Sequence, residues 1–164
     1  MAAAVCKFAG ARNIIGTDLS EYRRNLALSM GATEVIDPRH ENLREVMAKY
    51  KMVAGFDIGL ECSGSPKAFS DMIDHMYNGG KISLLGILPK NTQINWNDVI
   101  FKGLSLKGIY GREMYETWYH MEMMLVSGLD ISKIITHRFK AEDFQKGFDI
   151  MEEGNCGKVI LEFD

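Results

Sequence analysis

A chain of 164 residues is long enough for one domain and part of a second, and its hydrophobic (46%) and charged (25%) fractions are those of an ordinary globular core. A net charge of −3 supplies no basic stripe, which argues against nucleic acid as a partner, and nothing in the composition marks a membrane-spanning protein. The cysteines Cys6, Cys62 and Cys156 are odd in number and far apart, so they form neither a disulfide framework nor a C-x-x-C pair, and the expected compartment is a reducing cytoplasm.

In chain order, Met1 to Ala9 reads as a small apolar helix stopped by Gly10, without the charge order or cleavage pattern of a signal peptide. Asn13 to Asp18 reads as a buried strand ending in a carboxylate, and Ser20 caps a helix whose face carries Tyr22, Leu26 and Met30 up to Gly31. Glu34 to Asp37 is a short strand closed by Pro38. The Leu43, Val46, Met47, Tyr50 stripe predicts a helix, and Phe56 to Glu61 the next strand. Ser65 and Pro66 stand at the N-cap and first position of a helix with Phe69, Met72, Ile73 and Met76 inward. An Asn78-Gly79-Gly80 turn feeds a strand over Lys81 to Gly86, and Leu104 to Ile109 supplies another. Alternation of this kind predicts an α/β fold with a doubly wound parallel sheet.

After Gly111 the pattern changes. Met114, Trp118, Met121 and Leu125 line a longer helix, Ile134 to Phe139 is extended, Phe144, Phe148 and Met151 line another helix, and Gly157 to Phe163 closes with a strand. The expected boundary falls near Arg112, giving segments 1–112 and 113–164.

Asp18 carries the most chemistry. A carboxylate at a strand end accepts hydrogen bonds from both hydroxyls of an adenosine ribose and repels a 2′-phosphate; its plain alternative is a solvated acid leading into a helix cap. In a dinucleotide-binding βαβ unit such an acid lies about 20 residues beyond the glycine-rich phosphate turn. Counting back from Asp18 puts those glycines before Met1, so a Rossmann-like sheet lacking its first strand and Gly-rich turn is expected, with the ribose-binding half of a nicotinamide site and not the pyrophosphate half. Arg23 either flanks the adenosine end or is simply solvated.

Leu85, Gly86 and Ile87 lie where a parallel strand leaves the sheet, the position at which open α/β sheets bind ligands, and a structural turn would look the same. Ser63-Gly64 and Ile109-Tyr110 occupy equivalent strand ends. His40, His75, His120 and His137 lack the spacing of a zinc motif, and no nucleophile elbow accompanies Cys62 or Ser63. No complete catalytic or metal site is read in this chain.

The segments GARNIIGTDLSEYR, FDIGLECSG, KISLLGILP, VIFKGLSLKGIYGREMYETWYHM, ITHRF and DFQKGFDIMEEGNCGKVILEF together resemble the C-terminal half of the L-threonine 3-dehydrogenases, zinc-dependent medium-chain dehydrogenases. GREMYETWY is the most specific stretch. The resemblance implies NAD as cofactor, Asp18 and Arg23 at its adenosine end, and Leu85, Gly86, Ile87, Ile109 and Tyr110 at its nicotinamide end. It implies that residues from about Glu113 on return to the catalytic lobe, that the zinc ligands lie outside this chain, and that the enzyme is a homo-oligomer, a tetramer by family, with L-threonine as substrate and 2-amino-3-ketobutyrate as product. In the resembled strand order 3-2-1-4-5-6 the absent strand is central, which makes the chain a coenzyme-binding fragment expected to be inactive alone. Two alternatives stand beside this one: a non-catalytic module pairing through the edge strand Leu104 to Ile109 with a full-length dehydrogenase, and a polyol dehydrogenase of the same superfamily.

Overall fold

The computed structural model describes residues 1–163. By contact the chain forms two compact units, one made of Met1–Asn42 together with the chain from Trp118 on, the other of Leu43–Thr117. This grouping differs from the boundary expected near Arg112, since the first unit draws elements from both sides of that point.

In the first unit, helix α1 (Ala2–Phe8) ends at Ala9, ahead of Gly10, and strand β1 (Ile15–Thr17) follows. Helix α2 (Glu21–Ser29) starts where expected because the Ser20 hydroxyl accepts the Arg23 backbone N–H, satisfying one of the amides that a helix start leaves orphaned. Strand β2 (Glu34–Ile36) pairs in parallel with β1, Gly16 opposite Val35. Ala4, Met30 and Leu129 form the buried centre of this unit, with Leu26, Met124, Ile131 and Ile134 packed around them.

In the second unit, helix α3 (Leu43–Lys49) buries Val46 and Met47 of its predicted stripe. Strands β3 (Phe56–Glu61), β4 (Met76–Leu84) and β5 (Ser105–Gly108) form a parallel ladder in that order. Helix α4 (Pro66–His75) runs from the expected cap, Ser65 accepting the Ala68 N–H, and buries Phe69 and Ile73 against Met76 and Ile82. Its last carbonyls do not go unpaired: Lys102 Nζ donates to the oxygens of Ile73 and Asp74 at 2.8 and 2.7 Å. Helix α5 (Trp96–Phe101), capped by Asn95, was not anticipated, because six residues are too few to show a helical period.

The Asn78-Gly79-Gly80 turn requires a correction. Pairing of β4 begins earlier, at Met76 opposite Phe56, and resumes with Lys81 opposite Ile58, so residues 77–80 form an irregular insertion inside one strand.

The remaining elements belong to the first unit: helix α6 (Glu116–Val126, from Trp118 on), strand β6 (Ile135–Lys140), helix α7 (Phe144–Glu153) and strand β7 (Lys158–Glu162). β6 and β7 pair in parallel, so every ladder among the described residues is parallel. The apolar stripes read along α6 and α7 are not buried. Met114, Trp118, Met121 and Leu125 are exposed, and it is Met124 that reaches the core. Phe144, Phe148 and Met151 are about half exposed, while α7 turns Gly147 to the sheet, where an added Cβ would lie 3.1 Å from Val159. A periodic stripe identifies an apolar face without identifying the neighbour that covers it. Among the described residues no helix is long and apolar enough to cross a membrane.

Candidate functional site

Asp18 directly follows β1, at the carboxyl end of its parallel pair. Its backbone N–H donates to the Ile36 carbonyl, and its Oδ1 accepts the Ser20 N–H at 2.8 Å, leaving Oδ2 without a hydrogen-bond partner among the described residues. Ser20 thus serves two functions, binding Asp18 with its amide and capping α2 with its hydroxyl next to Arg23. The Arg23 side chain is exposed, with Nη2 beside Gly154 at the end of α7. The structure therefore brings Asp18 and Arg23 to one strand-to-helix turn.

Sequence reasoning missed what holds this turn. Arg24 Nη1 donates to the Asp18 carbonyl at 2.8 Å and to Asp37 Oδ2 at 3.2 Å. Asp37, only 5% exposed, also receives Nε and Nη2 of Arg39, and Arg39 Nη2 donates in turn to the Leu19 carbonyl. The Arg39 side-chain hydrogen bonds, aided by its charge and that of Arg24, hold the Asp37 carboxyl well below the usual carboxylate range against the opposing effect of burial. The available signal was an acid closing one strand-end with arginines in the neighbouring helix and loop. Two guanidinium groups and one carboxylate tie together the segments after β1 and β2, so the Asp18 loop is held from both sides.

The other five expected residues lie in the second unit. Leu85, Gly86 and Ile87 follow β4, Ile109 and Tyr110 follow β5, and the two segments meet because Leu84 pairs with Gly108 and the Ile109 N–H donates to the Leu84 carbonyl at 2.8 Å. Ile87 and Tyr110 are almost fully exposed at these carboxyl ends. On the neighbouring strand, Glu61 at the end of β3 is 1% exposed, and its carbonyl receives the N–H groups of both Leu85 and Gly86. Its carboxylate accepts the amides of Ser63 and Gly64 and the Ser63 hydroxyl. Gly64 has φ +68, a conformation that favours glycine, and a Cβ there would lie 2.7 Å from the Ile87 carbonyl oxygen. Nothing along the chain signals the burial of Glu61, which reads as the last residue of a strand.

Other clusters carry less. Among the described residues no group of three His, Cys, Asp or Glu side chains could hold a metal ion. His75 Nδ1 donates to the Asp71 carbonyl, 2.6 Å away, while its Nε2 is buried without a partner among the described residues. A cavity of about 280 Å³ in the first unit is lined by Lys7, Met30, Gly31, Leu129, Asp130 and Lys133 among others, and includes none of the expected site residues.

The family profile described as "Zinc-binding dehydrogenase" matches residues 1–127. The chain belongs to the zinc-binding dehydrogenase family. This zinc-binding dehydrogenase chain is 57% identical, over all of its 164 residues, to a protein of Photorhabdus laumondii subsp. laumondii named L-threonine 3-dehydrogenase, of which it covers 48%. It is 59% identical over 163 residues to the protein of the same name from Burkholderia ambifaria, covering 99% of this chain and 48% of that one. It thus spans about half the length of the curated relatives it matches. Among solved structures it is similar to the 2R,3R-butanediol dehydrogenase of Bacillus subtilis, with a TM-score of 0.87 at 23% identity over 99% of this chain and 47% of that one. The fold of this family member is accordingly the Rossmann-like α/β arrangement of medium-chain alcohol dehydrogenases, as the alternation of strands and helices implied.

Proposed function

We propose that this chain is the coenzyme-binding part of an NAD-dependent L-threonine 3-dehydrogenase, with 1–112 contributing to the NAD-binding domain and 113–164 to the catalytic lobe. The observation that carries the reading is whole-chain similarity, at 57% identity, to a protein of that name. The Asp18 carboxylate supports it: one oxygen is fixed by the Ser20 amide and the other is open, as a group that accepts ribose hydroxyls requires. On this reading Asp18 and Arg23 receive the adenosine ribose, while Leu85, Gly86, Ile87, Ile109 and Tyr110 line the nicotinamide end with backbone and apolar surface.

NAD, when bound, supplies the acceptor for the hydride that leaves C3 of threonine, while the hydroxyl proton is released and 2-amino-3-ketobutyrate results. The contribution of these residues is to hold and orient the coenzyme. The described residues do not fit a zinc site, so no step is assigned to zinc within this chain. The 164-residue chain by itself is proposed to be inactive.

The test is a threonine-dependent NADH assay on the chain alone and on the chain joined behind the N-terminal half of a threonine dehydrogenase, with polyols as competing substrates. Turnover of threonine by the joined protein and none by the chain alone is expected. Turnover by the chain alone would overturn the fragment reading; a well-folded joined protein that oxidises only polyols would overturn the substrate.

A further inference from the structure

The fold buries a carboxylate where an uncharged side chain would be cheaper. Glu61 is 1% exposed, and among the described residues no lysine, arginine or histidine pairs with it. Its partners are all loop groups: the N–H of Ser63 at 2.8 Å, that of Gly64 at 3.0 Å, and the Ser63 hydroxyl. A buried carboxylate is tolerated only when hydrogen bonds replace its water, and here those bonds come from the very segment that follows the strand. From the same residue, the backbone carbonyl takes the N–H groups of Leu85 (2.8 Å) and Gly86 (3.0 Å). One residue therefore fixes two loops by two different groups.

The loops leave no slack. A Cβ on Gly86 would stand 2.2 Å from Glu61 Oε2, and one on Gly64 would stand 2.7 Å from the Ile87 carbonyl oxygen. Backbone thus lies on backbone, with the Glu61 carboxylate beneath as the support, while the outer side of Ile87 is open to solvent. A surface built from main chain in this way can be complementary to a ligand only if the main chain is held in place.

We propose that Glu61 is a positioning residue for the coenzyme, its carboxylate fixing segments 62–64 and 85–87 so that they present one rigid surface to the nicotinamide half of the dinucleotide. This rests on the coenzyme-binding reading above. Glu61 itself, being buried, does not touch the ligand. Glutamine at this position has one oxygen and two N–H donors, so it turns a donor toward the Ser63 or Gly64 amide and releases the loop.

The experiment uses the full 164-residue chain and two half-coenzyme probes, reduced nicotinamide mononucleotide and 5′-AMP, titrated at millimolar concentration by ligand-observed NMR, with circular dichroism to monitor folding. Glu61→Gln is expected to weaken the nicotinamide probe by about tenfold or more and to leave 5′-AMP within about twofold. Ser63→Ala, which removes a single hydroxyl, is expected to shift the nicotinamide probe in the same direction by less. Unchanged binding of the nicotinamide probe in either variant overturns the proposal. So does parallel loss of both probes with loss of helical signal in Glu61→Gln, since that marks a purely structural glutamate. An unmutated chain that binds 5′-AMP and not the nicotinamide probe overturns the proposal while the adenosine end stands; one that binds neither removes the coenzyme reading as well.

Discussion

Gly86 and Gly64 approach so closely that a Cβ built on Gly86 would stand 2.2 Å from the Gly64 amide nitrogen. Neither that nitrogen nor Glu61 Oε2, at the same distance, is free to yield, because each is fixed by the hydrogen bonds between loop 62–64 and the buried Glu61 carboxylate. Gly86→Ala is therefore expected to cost about 1–3 kcal/mol, as overpacking of a fixed interior does. Gly108→Ala, where nothing lies within 4 Å of the added atom, is expected to stay within about 0.5 kcal/mol. Urea unfolding of the two variants side by side checks this, and equal midpoints would mean that the loops are able to separate without loss.

At the other strand end, the open oxygen of Asp18 predicts coenzyme choice. In an enzyme reconstituted from this chain and a family N-terminal half, NAD is expected to be preferred to NADP, whose 2′-phosphate would meet the carboxylate. Asp18→Ala should narrow the preference by about tenfold or more, the size of one charge-assisted interaction. The ratio of kcat/KM for the two coenzymes measures it. Equal use of both by the unmutated enzyme would remove Asp18 from the ribose.

Asp37 predicts how stability follows pH. Its folded-state pKa is depressed by Arg39 and Arg24, so its contribution is complete above the unfolded value of about 3.9 and is lost as pH falls from there toward the folded value. Thermal melts of the chain should decline on acidification below about pH 5, and Asp37→Asn should be less stable at neutral pH with a shallower acid decline. Parallel acid profiles for the two proteins would show that the Arg24–Asp37–Arg39 network does not couple to folding.

Two phenylalanines at similar points of amphipathic helices should behave oppositely. Phe69 is 2% exposed and Phe148 53% exposed. In urea unfolding of the chain, Phe69→Ala is expected to cost about 3–5 kcal/mol, enough to unfold a marginal protein, whereas Phe148→Ala is expected to cost less than about 1 kcal/mol. A large loss at Phe148 would mean that the α7 stripe is covered in solution.

The amino-acid sequence by itself determined the alternation of strands and helices, the caps at Ser20 and Ser65, and the strand-end positions of Asp18, Gly86 and Tyr110. Those features are local: a hydroxyl three residues from an orphaned amide, or an apolar period of two or 3.6, is visible along the chain. Only the tertiary structure decided which stripes were buried, so that α4 hides Phe69 while α7 exposes Phe148, and that pairing of β4 starts at Met76 around an insertion. It alone revealed the supports of the candidate site, Arg24 and Arg39 on Asp37 and Glu61 beneath two loops. An acid at a strand end looks the same in sequence whether it faces water or is buried, because its surroundings are set by residues distant along the chain, such as Arg24 at Asp37 and Gly86 at Glu61.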